Sequence, residues 1–284
     1  MLHDAHNHLQ DDWLRPHWDR IAADREAAEI GAMVVNGTCE ADWPVVAELA
    51  RRFPWVRPSY GLHPWDVGNA SPGWRDALRR QLDADPRAAV GEIGLDRWIL
   101  ERARPDDPRL AGLRRASLAE QDEAFRRQLA LAAERGRPAS VHCLDAWGAL
   151  SAALQETPRP AGFLLHAYGG PVELIGLYAK LGAYFSFNGH RLGAPAGSAR
   201  AERGRAVATA LPAERLLVET DAPATPLPRE RRRFPLPARA DGTEVAHPAD
   251  LGATLVGLAE LRGADPTALA ARLGANFHAL FGAD

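Results

Sequence analysis

The chain has 284 residues, 46% apolar and 25% charged, a mixture that argues against a disordered chain and supports a globular protein with a large core. Its formal charge of -3 excludes a uniformly basic, polyanion-gripping surface, so any contact with nucleic acid has to be local. Two cysteines, Cys39 and Cys143, exclude a disulfide framework and read as inert core thiols, and the single lysine, Lys180, argues against lysine-based chemistry.

No apolar run reaches the roughly 18 to 20 residues that a membrane helix requires, and the start MLHDAHNHL lacks the pattern of a secretion signal. The expectation is a cytoplasmic protein with no membrane contact and no obligate protein partner.

In chain order, short apolar segments suited to buried parallel strands run over Leu2 to His8, Ala32 to Asn36, Val56 to Tyr60 and Ala88 to Ile93. Four more occupy Ala139 to His142, Gly162 to His166, Ala183 to Ser186 and Leu216 to Glu219. Helical stretches such as Leu118 to Arg135 and Pro248 to Arg262 alternate with them, and no linker, repeat or break in composition divides residues 1–284. Eight strand-helix alternations in one domain of this length predict an α/β protein of the (β/α)8 TIM-barrel type. The proline-rich stretches Asp96 to Ser117 and Pro223 to Pro248 read as long loops after strands four and eight, placed to overhang the barrel mouth.

The chemistry is carried by side chains at the C-terminal ends of these strands. In DAHNHL, His6 and His8 are two apart and project from the same face of a strand, so both imidazoles can reach one metal ion. The same pattern of apolar run then metal-competent residue recurs with Glu92 in AAVGEIG, His142 in ASVHC, His166 in GFLLH and Asp221 in LLVETD. Such groups at buried strand ends are costly unless paired or liganded, and a barrel converges all of those ends on one pocket. Six ligands exceed the needs of one catalytic ion, so the expected cofactor is a pair of divalent ions, with Glu92 as the best candidate for a bridge.

The motifs DAHNHL, GLHPW, GEIGLD, VHCLDAWG, HAYGG, YFSFNG, LLVETDAP and NFHALFG, in this order and spacing, resemble those of the TatD family of metal-dependent deoxyribonucleases and span nearly the whole chain. The resemblance implies that His6, His8, Glu92 and Asp221 hold one ion and Glu92, His142 and His166 the other, with zinc, magnesium or manganese as the metal. It implies hydrolysis of DNA phosphodiesters, often from the 3′ end. His63 resembles a family histidine that faces the phosphate, and the nearby Trp65 is placed to stack on a base or simply to pack. The wider group of related barrels bridges its metals with a modified lysine on the fourth strand, where this chain has Glu92.

Other features read as structural. Asp145 fits a helix N-cap before AWGALSAALQE, and the run Arg229 to Arg233 fits a solvated loop face, with contact to a phosphate backbone as the less favoured reading. The chain departs from the family pattern in three places: the extended Arg97 to Ser117 loop, which bears on substrate access, and, bearing on phosphate recognition, Leu144 where an arginine is usual and His247 and Pro248 where an asparagine-containing motif is usual. The expected function is two-metal hydrolysis of DNA with Asp221 as proton acceptor and Glu92 and His63 as catalytic partners. A hydrolase of small esters, lactones or amides using the same site is the main alternative, and a metal-stabilised, non-catalytic scaffold is the third.

Overall fold

Every predicted strand forms, because each is a run of apolar residues too short for a helix and bounded by turn-forming sequence. The computed structural model describes residues 1–283. The strands are β1 (Leu2–Asn7), β2 (Ile30–Asn36), β3 (Val56–Tyr60), β4 (Ala89–Asp96), β5 (Ala139–Leu144), β6 (Phe163–Leu165), β7 (Ala183–Asn188) and β8 (Leu216–Glu219). They pair in parallel in the order of the sequence, which is the order of a (β/α)8 barrel. The helices α1 (Trp18–Ala27), α2 (Trp43–Arg52), α3 (Trp74–Ala84), α4 (Trp98–Glu101) and α5 (Leu118–Glu134) belong to the first half. The second half carries α6 (Trp147–Glu156), α7 (Ile175–Lys180), α8 (Ala199–Ala210), α9 (Leu251–Arg262) and α10 (Pro266–Phe281).

The seam between β8 and β1 is closed at the level of the predicted ligands. Asp221 N donates to His6 O at 2.9 Å and His8 N donates to Ala222 O at 2.7 Å. One turn lower, the fully buried Asp4 side chain takes the place of a backbone partner. It accepts from Thr220 N at 3.0 Å and from the Thr220 hydroxyl at 2.5 Å, and also from Asn7 Nδ2 at 3.2 Å.

Helix α5 fixes two strand ends. Its N-terminus is a reciprocal capping box between Ser117 and Glu120, and its inner face carries two buried glutamines. Gln121 accepts from Asp96 N at 2.8 Å and donates to Asp96 O at 3.1 Å; Gln128 does the same for Leu62, at 2.7 and 3.1 Å. A buried amide paired on both of its functions admits little rotation, so β4 is held at its last residue, Asp96, and the chain after β3 just before His63.

The two long loops lie where they were expected, but they are more ordered than composition implies. Arg115 ties the first together by donating to the carbonyls of Ile99, Ala103 and Arg104. In the second, the Arg229 to Arg233 run is the solvated face expected, with the Arg229 side chain 82% exposed, but ion pairs tie it down. Arg229 and Arg232 both bind Glu244, Arg231 binds Glu260, and Arg233 lies over the ring of Phe234, because each arginine folds back onto a neighbour of the opposite charge or onto an aromatic face. Asp145 is likewise not the N-cap of α6. Ala146 holds that position, while Asp145 has a φ of 57° and pairs with Arg102 at 3.2 Å.

The closing seam gives a direct test. Asp4→Ala leaves the backbone N–H and hydroxyl of Thr220 unpaired inside the barrel, and stability is expected to fall by about 2–3 kcal/mol. The readout is a lower urea midpoint at unchanged slope. A loss below about 0.5 kcal/mol, the usual effect of a surface change, would show that Asp4 does not close the barrel.

Candidate metal centre

The C-terminal ends of six strands deliver His6, His8, His63, Glu92, His142, His166 and Asp221 to one mouth. His6 lies within β1, Glu92 within β4 and His142 within β5; His8, His63, His166 and Asp221 follow the ends of β1, β3, β6 and β8. Two glycines of GEIG admit this packing. A side chain at Gly94, where φ is +149°, would lie 2.0 Å from His142 O, and one at Gly91 would lie 2.7 Å from Ser140 Cβ. Asp221 adopts a left-handed φ of 53°, which turns the chain end of β8 inward.

Glu92 is central and 3% exposed. Its Oε2 is 3.4 Å from His6 Nε2 and 3.2 Å from His8 Nε2; its Oε1 is 3.0 Å from His142 Nδ1, 2.9 Å from His166 Nε2 and 3.4 Å from His63 Nε2. Asp221 Oδ1 faces the first pair, 3.6 Å from His8 and 3.9 Å from His6. Ligand-competent atoms of His6, His8 and Asp221 lie within 4.8 Å of one another, as do those of His6, Glu92 and His166, and those of His63, Glu92 and His142.

The outer nitrogens decide what the inner ones present. His8 Nδ1 is 2.8 Å from the carbonyl of Asn36, which only accepts, so that nitrogen carries a proton and a neutral ring aims the Nε2 lone pair inward. His142 Nε2 donates to Asp96 Oδ2 at 3.2 Å, leaving Nδ1 facing Glu92. His6 Nδ1 meets Ser140 Oγ at 2.9 Å, and His166 Nδ1 points toward Glu219 Oε1 at 3.5 Å. His6 Nε2 and His8 Nε2 are then 3.2 Å apart, and His142 Nδ1 and His166 Nε2 also 3.2 Å apart. Pairs of imidazole nitrogens so close repel unless a proton or a cation lies between them. The donor set of four inward imidazoles and two carboxylates therefore fits divalent ions.

His63 differs. The backbone N–H of Trp65 donates to His63 Nδ1 at 3.2 Å, so a neutral ring carries its proton on Nε2 and points a donor, not a lone pair, into the mouth. That orientation suits contact with a substrate oxygen.

The electrostatics follow from the crowding. Burial opposes ionisation of Glu92, but His166, His63 and His6 outweigh it and hold the carboxylate well below its ordinary range. Burial also works against protonation of His8 and His142. At His8 the hydrogen bond and charge of Glu92 prevail, and at His142 the bonds to Asp96 and Glu92, raising each to about 9. Burial and the charge of His166 push His6 down to about 4, while burial lifts Asp221 to about 6.

Other residues named from the sequence fall outside this cluster. Lys180 is exposed at the end of α7. Cys143 packs against the core as a free thiol, and burial pushes its pKa well up. Leu144 is 39% exposed. His247 is turned into the protein body, accepting from Ala249 N at 3.0 Å with Nε2 3.1 Å from Asp24. The residues that buttress the imidazoles, Asp96, Ser140, Asn36 and Glu219, were not singled out from the sequence. Ser140 stands two before His142 on the same strand face, a signal that was legible; Asp96 lies beyond the predicted end of β4.

A barrel whose mouth gathers histidines and carboxylates in this way defines a metal-dependent hydrolase. The family model for TatD-related DNase matches residues 3–282, and the chain belongs to that family. It is 30% identical over 267 residues to the 3′-5′ ssDNA/RNA exonuclease TatD of Klebsiella pneumoniae (strain 342), covering 94% of this chain and 92% of that protein. The protein of the same name from Salmonella typhimurium is 31% identical over 264 residues, covering 93% and 92%. Among solved structures, the TatD homologue YJJV of Escherichia coli K12 superposes with a TM-score of 0.82 at 24% identity, covering 100% of this chain and 98% of that one. A TatD family hydrolase of Entamoeba histolytica gives 0.78 at 16% identity, with 99% and 98% covered.

Proton linkage tests the cluster. A histidine raised to about 9 retains its proton up to that pH in the metal-free protein, whereas the ordinary value is near 6.5. Against the effect of burial, the charge of Glu92 holds His166 well above that value too. A bound cation has to displace the protons of all three rings, so metal binding at pH 7.5 is expected to release about three protons per chain and to tighten as pH rises toward 9. Titration calorimetry in buffers of different ionisation enthalpy measures this; a heat independent of buffer would contradict it.

Proposed function

We propose that the protein cleaves DNA phosphodiester bonds with two divalent ions held by His6, His8, Glu92, His142, His166 and Asp221, in the 3′-5′ direction that its relatives carry in their names. The observation that carries this reading is the Glu92 carboxylate with one oxygen toward His6 and His8 and the other toward His142 and His166. In this assignment His6, His8, Glu92 and Asp221 hold one ion and Glu92, His142 and His166 the other. The imidazole-rich donor set favours zinc over magnesium. When bound, the pair of ions supplies an ionised water at neutral pH and neutralises charge that develops on phosphorus.

The chain's own groups do the rest. Asp221 Oδ1 lies beside His8 at the mouth, which places its carboxylate to accept a proton. His63 Nε2–H is oriented to donate to a phosphate oxygen, a bond that strengthens as negative charge grows there. Asp96, held by Gln121, keeps the His142 ring from turning. No helix among the described residues is long and apolar enough to cross a membrane.

Two measurements test the reading. Glu92→Ala is expected to keep the circular dichroism of the barrel, to lose bound metal, and to lower turnover at least about a thousandfold, the scale of a single charge-stabilising group. Full activity in that variant would remove Glu92 from the mechanism. On a panel of single-stranded oligonucleotides and small esters with added manganese or zinc, the oligonucleotides are expected to be the better substrates. Turnover confined to the esters would move the assignment to small-molecule hydrolysis.

A further inference from the structure

Arg109, in the loop after β4 that interrupts the resemblance to the family, stands over two tryptophans beside the mouth. Its guanidinium carbon is 4.8 Å from the ring centre of Trp98 and 5.9 Å from that of Trp65. The two indoles are 6.1 Å apart and 21° from parallel. The three separations form a near-equilateral triangle, so the guanidinium covers the seam between the rings and is not the end plate of a three-layer column. Arg109 Nε and Nη2 donate to Asp107 Oδ1 and Oδ2 at 2.9 and 2.6 Å. Such bidentate bonds lie in the guanidinium plane and leave both of its flat faces unobstructed. The guanidinium lies over the indoles while the side chain is 59% exposed, so much of it remains open to a ligand.

The platform is tied to the metal ligands. The indole N–H of Trp65 donates to Asp96 Oδ2 at 2.6 Å, the same oxygen that accepts from His142. The rings of Trp65 and His63 are 5.6 Å apart, and those of His63 and His142 are 4.8 Å apart. A ligand on Arg109 would therefore be a neighbour of whatever occupies the mouth.

We propose that the outer face of Arg109, backed by Trp98 and Trp65, is a stacking subsite for an unpaired nucleobase of the substrate strand. This rests on the nuclease reading given above. A base is favoured over a phosphate because Asp107 takes two of the five guanidinium N–H donors and offsets the charge, while the planar, polarisable surface over the indoles is what the site presents most broadly. Stacking of this kind accepts any base, and purines offer it more area.

The test compares oligonucleotides that carry a base with otherwise identical ones abasic at single successive positions from the 3′ end. With metal-loaded protein, kcat/KM is expected to fall about tenfold at one position when the base is missing. In Arg109→Lys, which keeps the charge and loses the plate, that ratio falls toward one, and Trp98→Ala lowers it as well. Arg127→Lys, remote on α5, retains the wild-type ratio. Fluorescence anisotropy of the same oligonucleotides with metal-free protein reads the subsite without turnover, and the same base dependence is expected there. Equal handling of the abasic and base-bearing strands by wild type would overturn the subsite and leave the nuclease reading standing. An equal loss on both strands in Arg109→Lys would also overturn it, since that is the signature of a phosphate contact. Failure of the metal-loaded wild type to cleave any oligonucleotide would remove both readings together.

Discussion

A buried carboxylate ringed by five imidazoles imposes the constraint that orders the rest of this protein. Glu92 cannot be desolvated alone, and the imidazoles cannot crowd to 3.2 Å without a charge between them. Each makes the other tolerable only if a cation or protons complete the cluster, so the barrel mouth is built to be charged. The seam between β8 and β1 closes at His6, His8 and Asp221 themselves, which means that barrel closure and ligand placement are one set of hydrogen bonds.

Around that centre, rigidity comes from outer partners. The carbonyl of Asn36, the hydroxyl of Ser140 and the carboxylate of Asp96 each engage the far nitrogen of one ring. Behind Asp96 stands Gln121, and behind His63 stands Gln128 through Leu62, so a single helix, α5, supports two sides of the mouth. A surface of net charge -3 remains compatible with a nucleic-acid substrate because recognition is assigned to metals, a donor histidine and a flat stacking face, and not to a broad basic field.

The barrel was legible because parallel strands buried on both faces leave short apolar runs, and all eight were found, with ends off by a few residues, as β4 runs on to Asp96 and β5 to Leu144. Six of the seven mouth residues were legible for the opposite reason, each being polar at the end of a strand-like run, and His63 was reached through the family resemblance. What the sequence concealed depends on contacts between distant segments. Asp145 looks like a cap but pairs with Arg102, and the Arg229 to Arg233 run looks solvated but is neutralised by Glu244 and Glu260. Of the stacking group only Trp65 drew notice, since nothing local brings Trp98 and Arg109 onto it.

The most direct test of the central claim is anomalous diffraction from crystals of the wild-type protein soaked in manganese or zinc. Two peaks about 3.5–4 Å apart are predicted, one on the His6, His8 and Asp221 side of Glu92 and one on the His142 and His166 side. A single peak, or peaks away from Glu92, would contradict it.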